Sequence, residues 1–93
     1  MEANYHHIGV VTHFFDRLQV AVVLLESELY LDDWVLIYGP HTQIQQQVLS
    51  MQASHQSIDK AERGDEIAIK VDGVVREGDD VYLMLDEKSA GGY

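Results

Sequence analysis

Apolar and polar positions alternate with a period of two over much of the chain, and that period belongs to β-strands. Ile8-Gly9-Val10-Val11-Thr12-His13-Phe14 is β-branched and aromatic, and it stops at Asp16-Arg17, a turn. Leu18 to Leu25 follows, apolar on both faces from Val20 onward, as in a strand with a neighbour on each side. The pair predicts a hairpin. Trp34-Val35-Leu36-Ile37-Tyr38 ends at Gly39-Pro40-His41-Thr42, where the single proline sits in a turn and outside any ladder. A fourth strand is expected over roughly Ile44 to Gln52, its Gln45-Gln46-Gln47 run suited to an edge or to one solvated face. Ile67-Ala68-Ile69-Lys70-Val71 alternates, Asp72-Gly73 marks a turn, and Val81 to Leu85 forms the last strand. Ser57 to Arg63 has room for one helical turn capped by Ser57 or Asp59, and no longer segment sustains an apolar period of 3.6.

One short pattern occurs three times: an apolar residue, two variable positions, Gly or Asp, Asp, any residue, then Val or Ile. The copies are Leu29–Val35, Ala61–Ile67 and Val75–Val81. The pattern predicts a tight turn entering a strand. Gly64 and Gly78 supply positive φ without steric cost, and Asp32 in the first copy tolerates it better than most residues. Asp33, Asp65 and Asp79 then accept hydrogen bonds from backbone N–H groups that the turn leaves unpaired. A metal or acid–base cluster of these three aspartates is the competing reading, which no dense calcium-loop pattern supports.

Ninety-three residues allow one domain, expected over residues 1–86 with a flexible tail over 87–93. Sixteen Asp and Glu against six Lys and Arg give a formal charge of −10. Such a surface repels phosphate backbones, which argues against DNA while leaving room for a local RNA contact. Cysteine is absent, which excludes disulfides, zinc ribbons and thiol catalysis and suits a cytoplasmic location. The N-terminus lacks a basic region followed by an apolar one, and the apolar run Val20–Leu25 is far too short to span a bilayer, so no membrane association is expected.

Candidate chemistry is sparse. His7 and His13, on one strand, lie about 20 Å apart and cannot share an ion, and His41 and His55 stand alone near loops. No metal and no cofactor are expected. None of Ser27, Ser50, Ser54, Ser57 or Ser89 sits in a G-x-S-x-G elbow, so the chain reads as a non-enzyme. Two apolar features remain. Val35 and Ile37 take the inward positions of their strand, which puts Trp34, Leu36 and Tyr38 outside as a protein-interaction or self-association patch, unless the tail or Leu29–Leu31 folds over it. His13, Phe14, Phe15 and Arg17 gather at a hairpin end, where they either pack the corner or stack an RNA base.

Gly9-x-Val11, Val20-Ala21, the three turns, and Val48 with Met51 ahead of Gly64-Asp65 together resemble the second domain of translational GTPases such as elongation factor Tu. Ile37-Tyr38-Gly39-Pro40 and Ser50-Met51-Gln52 with His55 are more similar still to stand-alone elongation-factor-like proteins and to the C-terminal barrel of collagenase-like peptidases. The resemblance implies an all-β fold, a small closed six-stranded Greek-key barrel of the translation-protein type. It also implies a binding or adaptor module in translation-related or RNA-modifying machinery, with direct binding of RNA or an aminoacyl-tRNA end as the alternative. Arg17, Val20 and Ala21 match the family stretch at the aminoacyl end of tRNA. No GxxxxGK[ST] loop is present, so nucleotide chemistry is not implied.

Overall fold

The computed structural model describes residues 4–85, and every regular element within them is a strand. In chain order these are β1 Tyr5–Phe15, β2 Val20–Leu25, β3 Leu29–Tyr30, β4 Trp34–Gly39, β5 Thr42–Gln47, β6 Met51–Ala53, β7 Gln56–Ser57, β8 Lys60–Ala61, β9 Glu66–Lys70 and β10 Asp80–Met84. The expected tail, 87–93, lies outside the described residues. No helix among them is long and apolar enough to cross a membrane.

Each strand's apolar parity sets its inward face. Val35 and Ile37 of β4, Ile67 and Ile69 of β9, and Val81 of β10 are buried in one core with Ile8, Val11, Ala21, Val23 and Leu25. The first hairpin forms as β1 against β2, and β10 returns from the far end of the chain to lie between β1 and β4. Two bulges kink β1, between His7 and Gly9 and between Val11 and His13. Such insertions bend a strand and sharpen its twist.

Closure differs from the expectation. The main sheet has eight strands in the order β5-β4-β10-β1-β2-β9-β6-β7, all antiparallel, with β5 and β7 as free edges; β3 and β8 pair separately. It is an open curled sheet and not a closed six-stranded Greek-key barrel. The gap is spanned by a side chain where closure would require a ladder. Gln46 of β5 is only 4% exposed. Its Nε2 donates to the Lys70 carbonyl at 2.9 Å and its Oε1 accepts from the Asp72 N–H at 2.8 Å.

Two local expectations also change. The strand expected over 44–52 is split, because the inward positions Thr42, Gln46 and Val48 are even and Met51 is odd. Exposed Leu49 and Ser50 absorb the shift of parity, while Val48 exchanges backbone hydrogen bonds with Asp32 and Asp33. The segment 57–63 forms no helical turn. It contains the end of β7 and all of β8, and the Ile58 N–H donates to the Met51 carbonyl at 3.0 Å.

Candidate docking surface on the outer face

The three aspartate turns share one geometry. Asp33 Oδ2 accepts from the Tyr30 N–H at 2.9 Å, Asp65 Oδ2 from Glu62 at 2.8 Å and Asp79 Oδ2 from Arg76 at 2.9 Å. In each, the aspartate N–H donates back to the same residue's carbonyl. The residue before each aspartate has positive φ: 77° at Asp32, 91° at Gly64 and 93° at Gly78. These carboxylates are occupied by their own turns, and no three His, Asp or Glu side chains among the described residues converge as metal ligands. Asp79 is the buried one, 3% exposed. A Cβ at Gly39 would overlap its Oδ1, so the last residue of β4 needs to be glycine.

At the β1–β2 corner the four sequence candidates separate. Phe14 packs against the core, while Phe15 is exposed with its ring 4.4 Å, centroid to centroid, from that of His13. His13 Nδ1 lies 3.5 Å from Glu77 Oε2, and Arg17 is exposed.

The outer face of β1, β10, β4 and β5 is more densely built. Residues opposite one another in antiparallel strands share a face, so the ladder registers define rows. One row runs His7, Tyr82, Leu36, Gln45; the next runs Val10, Asp80, Tyr38, Gln43. Trp34 faces Gln47 at the far end of β4. Trp34 is 41% and Tyr38 50% exposed, and Leu36 between them on the same side of β4 is half-buried among the described residues. Tyr5, Leu36, Tyr38 and Tyr82 line a shallow cavity of about 160 Å³. The Tyr5 and Tyr82 rings meet edge-on at 6.3 Å, and the Tyr5 hydroxyl accepts from Gln45 Nε2 at 3.4 Å.

His7 stands beside this cavity, its ring 5.2 Å from that of Tyr82. Its Nε2 is 2.9 Å from Asp80 Oδ1 and its Nδ1 3.1 Å from Glu26 Oε1. The hydrogen bond to Asp80, reinforced by the Glu26 carboxylate, raises the His7 pKa above its ordinary 6.5 against the opposing effect of partial burial. Both ring nitrogens therefore hold carboxylates, which fastens β1 to β10 and to the segment after β2. That arrangement clamps strands and does not prime a nucleophile.

The sequence candidates for this outer surface did not include Tyr5, His7 or Tyr82. Tyr82 had a usable signal: it follows inward Val81 as Leu36 follows inward Val35, so the repeated turn motif places both on the same side. Tyr5 and His7 had none, because their face depends on the bulge after His7.

No protein-family model matches the chain. The chain is 37% identical over 80 residues to an uncharacterized protease of Methanocaldococcus jannaschii, a match covering 85% of this chain and 20% of that protein. It is 37% identical over 78 residues to a collagenase of Porphyromonas gingivalis, covering 82% of this chain and 22% of the collagenase. The chain thus spans about a fifth of the length of the curated relatives it matches. The crystal structure of the C-terminal domain of a Geobacillus thermoleovorans protein assigned to the U32 peptidases superposes with a TM-score of 0.79 at 16% identity, over 84% of this chain and 91% of that one. Its selenomethionine variant gives a TM-score of 0.78 at 16% identity, over 82% and 96%.

These likenesses overturn the expectation of a translation-related or RNA-modifying module, and with it the alternative of RNA or aminoacyl-tRNA binding. The aspartate turn is a way of entering a strand that says nothing of function, and of the matched residues Val20 and Ala21 pair within the sheet while Arg17 is exposed in the turn before them. By sequence the chain is similar to about a fifth of each of two proteases, and by fold it is similar to the C-terminal domain of a U32 peptidase.

Proposed function

We propose that this chain is a non-catalytic accessory β domain that works with the catalytic part of a U32-type peptidase, docking on it through the outer face of β4 and β10. The observation that carries the reading is the superposition of 84% of the chain on a peptidase's C-terminal domain. Two features of the chain support the division of labour. The histidines that have side-chain partners among the described residues, His7 and His13, hold carboxylates there and neither meets a described serine hydroxyl, which is not the geometry of a relay. Tyr5, Leu36, Tyr38 and Tyr82 border one shallow cavity on the outer face and exposed Trp34 lies on the same side of β4, and such aromatic residues dominate the energetics of protein contacts.

The test adds the purified chain to a U32 peptidase from which the corresponding β domain has been removed. The expected result is a 1:1 complex by light scattering and recovered cleavage of labelled gelatin, with no cleavage by the chain alone. Trp34→Ala weakens the complex by about thirtyfold, the loss expected when an interface tryptophan buried on docking is truncated. Gelatin cleavage by the chain alone, or no complex at micromolar concentrations, overturns the proposal.

A further inference from the structure

We infer that the cavity between Tyr5, Leu36, Tyr38 and Tyr82 takes the cationic head of an arginine or lysine side chain presented by the docked partner. This rests on the outer face being the contact surface. Three tyrosine rings and one leucine line the cavity, and no basic residue does. A tyrosine ring that offers its face to an occupant attracts a cation there more strongly than a neutral group of the same shape, and the Tyr5 and Tyr82 rings, set edge-on at 71° to one another, allow this from two sides.

Charge on the rim acts in the same direction. Asp80 lies opposite Tyr38 in the ladder, on the same face, and its carboxylate is held by His7, which also holds Glu26. The chain as a whole carries −10, so a docking partner is favoured if it is basic where it touches this face. A bare metal ion is a poor fit, since no three ligating side chains converge among the described residues. An anion meets both Asp80 and the ring faces. A guanidinium or ammonium on an aliphatic stem satisfies each wall: the stem packs on Leu36, the head faces the rings, and the charge lies near Asp80.

The test titrates isotope-labelled chain with the blocked peptide acetyl-Gly-Arg-Gly-amide, followed by amide NMR shifts. The control peptide carries citrulline, which keeps the shape of arginine and removes its charge. The expected result is saturable shifts confined to β1, β4 and β10 around the four lining residues, with the citrulline peptide at least fivefold weaker. Tyr82→Leu and, separately, Tyr38→Leu weaken arginine binding by a similar factor. Half of Tyr38 is exposed, so that variant keeps the fold even where Tyr82→Leu does not. Exposed Tyr30→Leu has no effect. Equal shifts with the citrulline peptide overturn the inference. So do shifts scattered over all acidic surfaces, no shifts at millimolar peptide, or a dimeric mass abolished by Trp34→Glu, which gives the face to a second copy. A complex with the truncated peptidase that survives any of the first three results leaves the docking proposal standing without this inference.

Discussion

Asp32, Gly64 and Gly78 perform the same backbone task with two different residue types, which makes the three turns an internal control. All three sit at positive φ, where a Cβ costs about 1–2 kcal/mol unless, as with Asp, the side chain tolerates that region. Gly64→Ala and Gly78→Ala therefore each lower stability by about 1–2 kcal/mol, whereas Asp32→Gly lowers it little, the relief of strain offsetting the added chain entropy. Urea midpoints at constant slope measure all three. The carboxylates differ by environment. Asp65→Ala gives up one exposed hydrogen bond to Glu62 and costs about 1 kcal/mol, while Asp79→Ala removes the buried acceptor for the Arg76 N–H and costs about 2–3 kcal/mol. These turns were legible in the amino-acid sequence because the residues that make each turn's own hydrogen bonds lie within seven consecutive positions.

At the scale of strands, what mattered most was set by contacts between distant segments. β10 has only Val81 fully buried and its side is set by the turn before it, whereas the parity of β4 and β9 could be read directly, since each alternates between buried and outward positions. The short pairs β3–β8 and β6–β7 could not, because two or three residues carry no period. The break between β5 and β6 was hidden for the same reason: only the core shows that Val48 and Met51 both point inward. β5 does lie at a sheet edge, as its glutamine run suggests, but Gln46 within it is buried and spans the gap between β5 and β9. Gln46→Ala leaves the Lys70 carbonyl and Asp72 N–H unpaired and is expected to cost about 2–3 kcal/mol in the same urea experiment. His7 couples β1 to β10 in a pH-dependent way. Its folded pKa is raised, so its contribution is complete below the unfolded value and is lost as pH rises through the folded one. The urea midpoint of the wild-type chain should fall between pH 6 and 8 by more than that of His7→Gln, and equal slopes would refute the clamp.

For the whole molecule, the order of short strands announced an all-β domain, and the likeness to the appended barrel of collagenase-like peptidases was within reach. Whether the sheet closes depends on what β5 meets across the molecule, a question of shape that local pattern does not answer. The outer aromatic surface was half visible: Trp34, Leu36 and Tyr38 follow from the parity of one strand, but Tyr5 and Tyr82 reach it from opposite ends of the chain. The setting differs from the expectation because the turn motifs encode only how a strand is entered, which carries the fold and not the function. Trp34 is the one tryptophan in the chain and lies on the proposed contact face, so it reports on docking without interference from the rest of the molecule. With 5-fluorotryptophan in its place, a single fluorine NMR resonance should move and saturate at one equivalent of the truncated peptidase. A resonance that keeps its free position while light scattering shows the complex, or that keeps it because no complex forms, contradicts docking through this face.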